Sequence, residues 1–221
     1  MDYILDGRRW DLSRDTAIPH LLADHLVITA ISMLLALLIA FPIALLAVRY
    51  TRVYLPSVTI AGLIYTIPSL AFMAMLIPFT GLSRTTVIIP LVLYAQVVLI
   101  RNIVAGIRGV DPTLVEIGQA MGMTSRQVLL RVTLPLALPV IVAGVRVATV
   151  TTIGIATIAP LFGTQDLGYL IFQGFNTSYN DQVLAGVILV SALAIVVDLL
   201  LLGVQHLLSR GRVAPNAATA A

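Results

Sequence analysis

Two opposite charges interrupt long apolar runs of this sequence. Arg146 lies in the run 136–161, and Asp198 is the only charge in the run 183–208. A helix rises 1.5 Å per residue, so each charge would lie roughly 15 Å from the same side of a membrane. Because a lone charge at that depth is costly, a partner of opposite sign at the same level is favoured. We therefore expect an ion pair, direct or through water; the alternative is a snorkelling Arg146 and a separately solvated Asp198.

Aromatic and hydroxyl side chains recur at helical spacing in the apolar run 58–79. Tyr65, Ser69 and Phe72 would share one face of a helix there. Pro68 between them frees a backbone carbonyl that a serine, a threonine or a water must satisfy. Such a face suits either hydrogen-bonded packing between helices or a translocation wall whose rings attract a cation. The candidate pathway residues, which include polar groups of later runs, are Tyr65, Pro68, Ser69, Phe72, Gln96, Thr149 and Thr152.

Other kinds of site chemistry lack the residues they need. The chain has no cysteine, which excludes disulfides, thiolate metal ligands and cysteine nucleophiles. Serines in the apolar runs have no partner base at a similar depth, so covalent catalysis is not supported. The histidines lie near the predicted membrane boundaries, without the i, i+4 spacing of a helical metal pair: His20, His25 and His206. The sequence therefore predicts no metal site, no cofactor and no enzymatic activity of its own.

The composition places these residues in a lipid bilayer. Hydrophobic side chains make up 59% of the 221 residues and charged ones 10%, against about 25% charged in a typical soluble domain. The net charge of +3 arises from arginines near the ends of apolar runs, where they set topology. No nucleic-acid partner is implied, and the chain is expected to be a multi-pass membrane protein.

Five apolar runs are long enough to cross about 30 Å of hydrocarbon as helices. These runs are 26–48, 58–79, 85–104, 136–161 and 183–208. The expected fold class is therefore all-α, with a tight turn at residues 80–84 that makes the second and third runs antiparallel. No internal repeat or linker divides the chain, so residues 1–221 are expected to form one transmembrane domain.

The arginines also predict the orientation. With the N-terminus outside and the C-terminus in the cytoplasm, most of them lie on the cytoplasmic side, as the positive-inside rule requires. The arginines that would face the cytoplasm are Arg49, Arg52, Arg101, Arg108, Arg126, Arg131, Arg210 and Arg212, and those outside are Arg8, Arg9, Arg14 and Arg84. Residues 1–20 are interpreted as a solvated arm with an interfacial Trp10, and the small polar residues after Arg212 as a disordered tail.

A polar segment, residues 109–135, separates the third apolar run from the fourth. Asp111 can cap a helix that begins with a proline, whose missing N–H costs nothing there. Thr124, three residues before a glutamine, has the form of a capping box at the start of a second helix. Gly122 lies at the corner, where a residue without a Cβ tolerates a left-handed turn or a close contact. We expect Pro135 to end the second helix.

The fixed positions of this segment resemble the cytoplasmic coupling loop of ATP-binding-cassette importer permeases. That family's pattern is Glu-Ala-Ala, three residues, Gly, nine residues, Ile, one residue and Leu-Pro. Here it begins at Glu116 and keeps the Gly and the Leu-Pro, whereas Ile117 and Gly118 replace the alanines and Val132 replaces the Ile. The resemblance implies that the loop docks into a cleft on a separate ATPase subunit. The coupling residues would be Asp111, Glu116, Gln119, Ala120, Gly122, Leu134 and Pro135.

The resemblance covers residues 26–202 and is greatest to the osmoprotectant branch of these permeases. The stretches that carry it are 65–71, 116–124, 134–141, 143–146 and 161–168. It implies a type I importer permease core that imports glycine betaine, choline, carnitine or related quaternary ammonium compounds across a bacterial cytoplasmic membrane. It also implies ATPase subunits, a second permease subunit, identical or related, and an external binding protein that delivers substrate against residues 163–182.

Two alternatives remain open. A permease for methionine or another amino acid would share much of the same architecture. An ATP-independent carrier driven by protons or sodium would need acidic residues deep in several spans. The sequence offers only Asp198 there, and such a carrier would leave the coupling loop unexplained.

Overall fold

The computed structural model describes residues 2–14 and 16–209, and all regular secondary structure in these ranges is helical. The all-α prediction is therefore confirmed for this part of the chain. The helices are α1 (Asp2–Leu5), α2 (Ile18–Arg49), α3 (Thr51–Tyr65), α4 (Ser69–Thr80), α5 (Arg84–Arg108), α6 (Pro112–Ala120), α7 (Ser125–Val128), α8 (Leu134–Ala156), α9 (Gly168–Asn176) and α10 (Asn180–Ser209). Tighter or wider turns lie at Gly7–Arg9, Leu129–Thr133 and Ala159–Phe162.

Several helices are long and apolar enough to cross a membrane. Four described segments meet this condition by themselves: Ile18–Arg49, Arg84–Arg108, Ser125–Ala156 and Asn180–Ser209. A fifth crossing results only if α3 and α4 count as one span, and these two helices are bent by 90° at their break. The expectation that Tyr65 and Phe72 share one face of a single helix is therefore wrong. Pro68 has no N–H to donate and disfavours helical geometry at the residue before it, which allows the chain to turn.

The packed core lies between α2, α5 and α8. α5 occupies the centre and contacts α2, α3, α4 and α8, whereas α10 lies at the edge against α8 and α9. α2 packs against α5 through a row of fully buried alanines: Ala36, Ala40, Ala44 and Ala47. Small side chains at such an interface let two membrane helices approach closely. α5 also packs along α8, and the polar segment 109–135, called the coupling segment below, connects the end of α5 to the start of α8.

The N-terminal residues pack onto the bundle instead of forming a solvated arm. Tyr3 is only 3% exposed, and its ring meets Tyr179 edge to face with centroids 5.8 Å apart. The Arg9 guanidinium lies 4.3 Å from the centre of the Tyr3 ring. The Trp10 indole N–H donates to a carbonyl of α1 at 2.7 Å. The arm prediction is wrong because Tyr3 buries its ring; the expected C-terminal tail lies outside the described residues.

Candidate functional site

The first helix of the coupling segment, α6, begins at a capped turn. Asp111 Oδ1 accepts a hydrogen bond from the Thr113 N–H at 2.8 Å, which confirms the expected N-cap. This backbone N–H holds the pKa of the exposed Asp111 carboxyl below its ordinary value. Pro112 follows at a position whose N–H has no partner within the helix. The start of α6 is therefore fixed by local sequence.

α6 ends in a left-handed turn at Gly122. Its φ of 83° lies in the region that glycine favours, and no other atom lies within 4 Å of where a Cβ would stand. The Met123 N–H donates to Gly118 O at 3.1 Å and the Gly122 N–H to Gln119 O at 2.9 Å, which together form a Schellman motif. Glycine is therefore required here by backbone conformation and not by crowding.

The second helix of the segment continues into α8. The capping box is confirmed: the Gln127 N–H donates to Thr124 Oγ1 at 3.3 Å, and the Thr124 N–H donates to Gln127 Oε1 at 2.8 Å. The chain then passes through the π turn Leu129–Thr133 and stays helical to Ala156. The expected end at Pro135 is therefore wrong. The wide turn relieves the clash between the Pro135 ring and the carbonyl four residues earlier.

One face of α6 is exposed and apolar. Leu114, Ile117 and Met121 recur at helical spacing and are 41%, 50% and 72% exposed. At the edge of this stripe, four residues after Leu114, Gly118 is buried, and a Cβ there would stand 3.4 Å from a methyl group of Val128. α6 therefore packs on α7 along one edge of the stripe and leaves the three larger apolar side chains exposed. The candidate coupling residues divide into an exposed set and a half-buried pair at the start of α8: Asp111, Glu116, Gln119, Ala120 and Gly122, then Leu134 and Pro135.

An aromatic cleft lies where the break between α3 and α4 meets α5. Its volume is 250 Å³, and its lining residues are Tyr65, Thr66, Ile67, Pro68, Ser69, Tyr94 and Ile155. The Tyr94 ring meets the rings of Tyr65 and Phe72 edge to face, at centroid distances of 5.7 and 5.8 Å. None of the lining residues is charged at neutral pH. Three of the candidate pathway residues, Tyr65, Pro68 and Ser69, thus line this cleft, and a fourth, Phe72, packs behind it against Tyr94.

Tyr94 also stabilises the break itself. Its hydroxyl donates to the Ile67 carbonyl at 2.8 Å. The Thr66 hydroxyl donates to Leu63 O at 2.6 Å. Hydroxyl groups therefore satisfy carbonyls of the interrupted backbone; Thr66 is of the expected kind, whereas Tyr94 was not expected. The local sequence did not indicate that one of them would come from the neighbouring helix.

The remaining candidate pathway residues do not line the cleft. Gln96 is buried, and its Nε2 donates to Val92 O at 2.9 Å and to Ala36 O at 3.2 Å. Thr149 and Thr152 are buried in α8, and each hydroxyl donates to the carbonyl four residues earlier, at 2.7 and 2.8 Å. These groups join α2 to α5 or bond to their own helix.

Arg146 and Asp198 meet between α8 and α10. Arg146 Nε and Nη2 donate to Asp198 Oδ1 and Oδ2 at 2.9 and 2.8 Å, the parallel arrangement that fits a guanidinium to a carboxylate. Gln205 Oε1 accepts a third bond, from Arg146 Nη1, at 2.8 Å. The sequence analysis missed Gln205. The sequence could have indicated Gln205, because it lies seven residues, about two helical turns, after Asp198, and this spacing puts both side chains on one face of the helix.

His25 is placed differently from the expectation. It was expected at a membrane boundary, where an imidazole is solvated, but it is fully buried between α8 and the loop that precedes α9. Its neighbours there are a carbonyl and the carboxylate of Asp166. Across the described chain, no group of three or more histidine, aspartate or glutamate side chains is arranged to hold a metal ion.

The long apolar helices, the exposed coupling segment and the cleft together define a multi-pass α-helical membrane transport protein. Residues 32–212 match the family described as binding-protein-dependent transport system inner membrane component. The chain belongs to this family and is an inner membrane protein.

Relatives with assigned roles match most of the chain. The carnitine transport permease protein OpuCB of Listeria monocytogenes is 38% identical over 79% of this chain and 80% of its own length. The choline transport system permease protein OpuBB of Bacillus subtilis is 38% identical over 80% of this chain and 82% of its own length. The carnitine transport permease protein OpuCD of Listeria monocytogenes is 40% identical over 84% and 83%. This chain is thus similar to permeases over about four fifths of its length.

Solved structures show the same fold at lower identity. The MetNI methionine ABC transporter in an inward-facing conformation matches with a TM-score of 0.77 and 21% identity, over 87% of this chain and 96% of that chain. An amino acid ABC transporter crystallised with histidines matches with a TM-score of 0.67 and 19% identity, over 95% and 96%. The likeness establishes the fold of an ABC transporter permease for this chain.

Proposed function

We propose that this chain is the permease subunit of an ATP-driven importer of quaternary ammonium osmoprotectants such as glycine betaine, choline or carnitine. The observation that carries the proposal is the 40% identity, over 84% of the chain, to a permease named for carnitine transport. The chain itself performs no covalent chemistry. ATP hydrolysis is assigned to a separate subunit.

The coupling segment supports docking of that ATPase. Leu114, Ile117 and Met121 form an apolar stripe outside the apolar spans, where a partner would remove it from water. Glu116 is exposed on another side of α6, and Gly122 forms the turn that ends this helix. A second permease subunit, identical or related, and an external binding protein that meets residues 163–182 complete the proposed importer.

The same proposal sets the topology. ATP is in the cytoplasm, so residues 109–135 lie on that side, and the N-terminus then lies outside if the bent pair α3–α4 counts as one of five spans. This orientation keeps most arginines in the cytoplasm. Residues 1–221 form one permease domain in this arrangement.

We restrict the proposed substrate path to the aromatic cleft. The rings of Tyr65 and Tyr94 line the cleft and would provide π faces that attract a methylated ammonium group, and Phe72 packs against the Tyr94 ring. The hydroxyls of Tyr65 and Ser69 lie in the same cleft and are able to donate to a substrate carboxylate. None of the lining residues carries a charge at neutral pH. The cleft therefore favours a compact cation or zwitterion that aromatic rings and hydroxyls can bind over a ligand that needs an oppositely charged side chain.

The Arg146–Asp198 pair has a proposed role in gating. It joins α8, which continues from the coupling segment, to α10. In the proposed topology the pair lies in the cytoplasmic half of the bundle. Motion of α8 that opens the inner gate would break it.

The test is purification in mild detergent followed by reconstituted uptake. We expect a soluble ATPase to co-purify and labelled glycine betaine to enter vesicles only with ATP and binding protein. Choline or carnitine should compete with it and methionine should not. Competition by methionine alone would indicate an amino-acid permease, and uptake without ATP or any ATPase would indicate a secondary carrier.

A further inference from the structure

His25 and Asp166 form a buried pair that the proposed transport cycle does not use. His25 lies in α2, Asp166 lies in the loop before α9, and both side chains are 0% exposed. His25 Nδ1 is 3.3 Å from Asp166 Oδ2, and its Nε2 is 3.1 Å from the carbonyl oxygen of Ile153 in α8. Three elements that are far apart in sequence therefore meet at one imidazole.

The partners of the ring determine how many protons the pair holds. The Ile153 carbonyl only accepts, so Nε2 carries a hydrogen. A bare Nδ1 opposite an ionised Asp166 would set two lone pairs against each other in a site closed to solvent. Nδ1 and Oδ2 are both buried without another hydrogen-bond partner, so a single proton held between them would satisfy both atoms.

The charged residues near the pair have other partners or lie beyond ion-pair distance. Asp24, the residue before His25, faces outward to Arg84, whose Nη2 lies 2.5 Å from its Oδ1. Asp166 has no other cationic partner within ion-pair distance in the described ranges. Its second oxygen, Oδ1, accepts a hydrogen bond from the Gly168 N–H at 2.7 Å. The carboxyl group therefore also fixes the first turn of α9.

The pair lies at the end of the bundle opposite the coupling segment. α8 starts directly after that segment, and Ile153 is near its other end, about 30 Å away at 1.5 Å per residue. Gly163, in the same loop as Asp166, packs against the turn between α4 and α5, where a Cβ would stand 2.9 Å from Leu82 Cβ. The loop 163–167 thus contacts several helix ends at once.

We propose that His25 and Asp166 are positioning residues that share one buried proton and clamp the loop 163–167 to α2 and α8. The clamp makes these helix ends move as one unit during transport. Its assignment to the extracytoplasmic side rests on the proposed function, whereas the shared proton does not.

The shared proton is tested by ¹⁵N NMR of histidine-labelled protein, because the sequence has only three histidines. The His25 signal is identified by its loss in His25→Gln. We expect Nε2 to be protonated. Nδ1 should either be protonated as well or accept a hydrogen bond from a protonated Asp166. In the second case infrared spectroscopy should show the C=O stretch of a carboxylic acid that disappears in Asp166→Asn. An unprotonated Nδ1 together with an ionised Asp166 would overturn the proposal, whatever the importer carries.

The clamp is tested by uptake in the reconstituted importer. In Asp166→Asn the amide oxygen still accepts from the Gly168 N–H and the amide N–H can donate to a neutral His25, so uptake should stay within about twofold of wild type. Asp166→Ala and His25→Ala should each lower the maximal rate about tenfold, because each leaves a buried polar group unpaired.

The matched control is Asp24→Asn, which removes an exposed ion pair at the same end and should leave uptake unchanged. Membrane levels and ATPase association should be unchanged in every variant. Normal rates in both alanine variants, or a loss in Asp166→Asn equal to that in Asp166→Ala, would contradict the clamp.

Discussion

The guanidinium of Arg146 binds both oxygens of the Asp198 carboxylate through parallel hydrogen bonds of 2.9 and 2.8 Å. Two parallel bonds restrain rotation as well as sliding, because a shift of either helix by one turn would separate the groups. Gln205 Oε1 adds a third contact on the same helix, at 2.8 Å. α10 is therefore held to α8 at a defined register, although few of its own side chains are buried.

Reversing either charge should impair uptake. Arg146→Asp and Asp198→Arg each place two like charges at one level of the membrane, which disfavours the packed arrangement. The double variant restores opposite charges and should recover part of the uptake. Rates are normalised to the amount of inserted protein. Full uptake in both single variants would show that the pair has no part in transport.

Gly122→Leu should abolish uptake while the chain still inserts. A side chain other than glycine in the left-handed region costs roughly 1–2 kcal/mol, so the Schellman turn would open. Gly122→Asn is the matched control, since asparagine tolerates this conformation, and it should retain most uptake. Co-purification with the ATPase is measured alongside. Equal activity of the two variants would contradict a conformational role.

The helix caps and the turn of the coupling segment could be predicted from the sequence because they depend on neighbouring residues. Asp111 and Thr124 form hydrogen bonds with residues two or three positions further along the chain, and Gly122 sets its own backbone conformation. The structure has the expected N-caps and the expected turn at Gly122. Pro135 was misread because a proline within a helix is accommodated when a wide turn precedes it. No residue type by itself announces such a turn.

Gly118→Ala should stabilise the coupling segment. Alanine favours a helix by about 1 kcal/mol over glycine. The added Cβ would meet Val128 at 3.4 Å and Met123 Sδ at 3.6 Å, which are ordinary contacts. We expect a higher midpoint of thermal unfolding with uptake retained. Gly118→Leu is the contrasting variant, because a longer side chain would push α6 off α7; a lower midpoint for the alanine variant would contradict the packing described.

Tyr94→Phe should loosen the break between α3 and α4. The ring stays in the aromatic cluster, but the Ile67 carbonyl loses its donor at 2.8 Å, a loss worth roughly 1 kcal/mol or more if the carbonyl stays dry. Tyr65→Phe is the control, since it keeps the neighbouring ring and removes a hydroxyl that lines the cleft. Thermal unfolding and uptake are compared. A larger loss of thermal stability in Tyr65→Phe would refute this role of Tyr94.

Contacts between helices were harder to predict than contacts within them. Depth arithmetic put Arg146 and Asp198 at one level, but the direction in which each points depends on how α8 and α10 are rotated. At the 90° bend near Pro68, the Ile67 carbonyl accepts a hydrogen bond from a hydroxyl of α5. The burial of His25 involves Ile153 of α8, which lies 128 residues further along the chain. These contacts depend on how distant segments pack together, and a short stretch of sequence does not show which distant segment it will meet.

The helical path Ser125–Ala156 has a mechanical consequence. Its 32 residues form a rod about 48 Å long. A tilt of about 10° applied at one end would displace the other by about 8 Å, simply from this length. In the proposed importer the ATPase would act on the coupling segment, next to the π turn Leu129–Thr133. The bending stiffness of this turn would then determine how much of the applied motion reaches the far end of α8 as displacement.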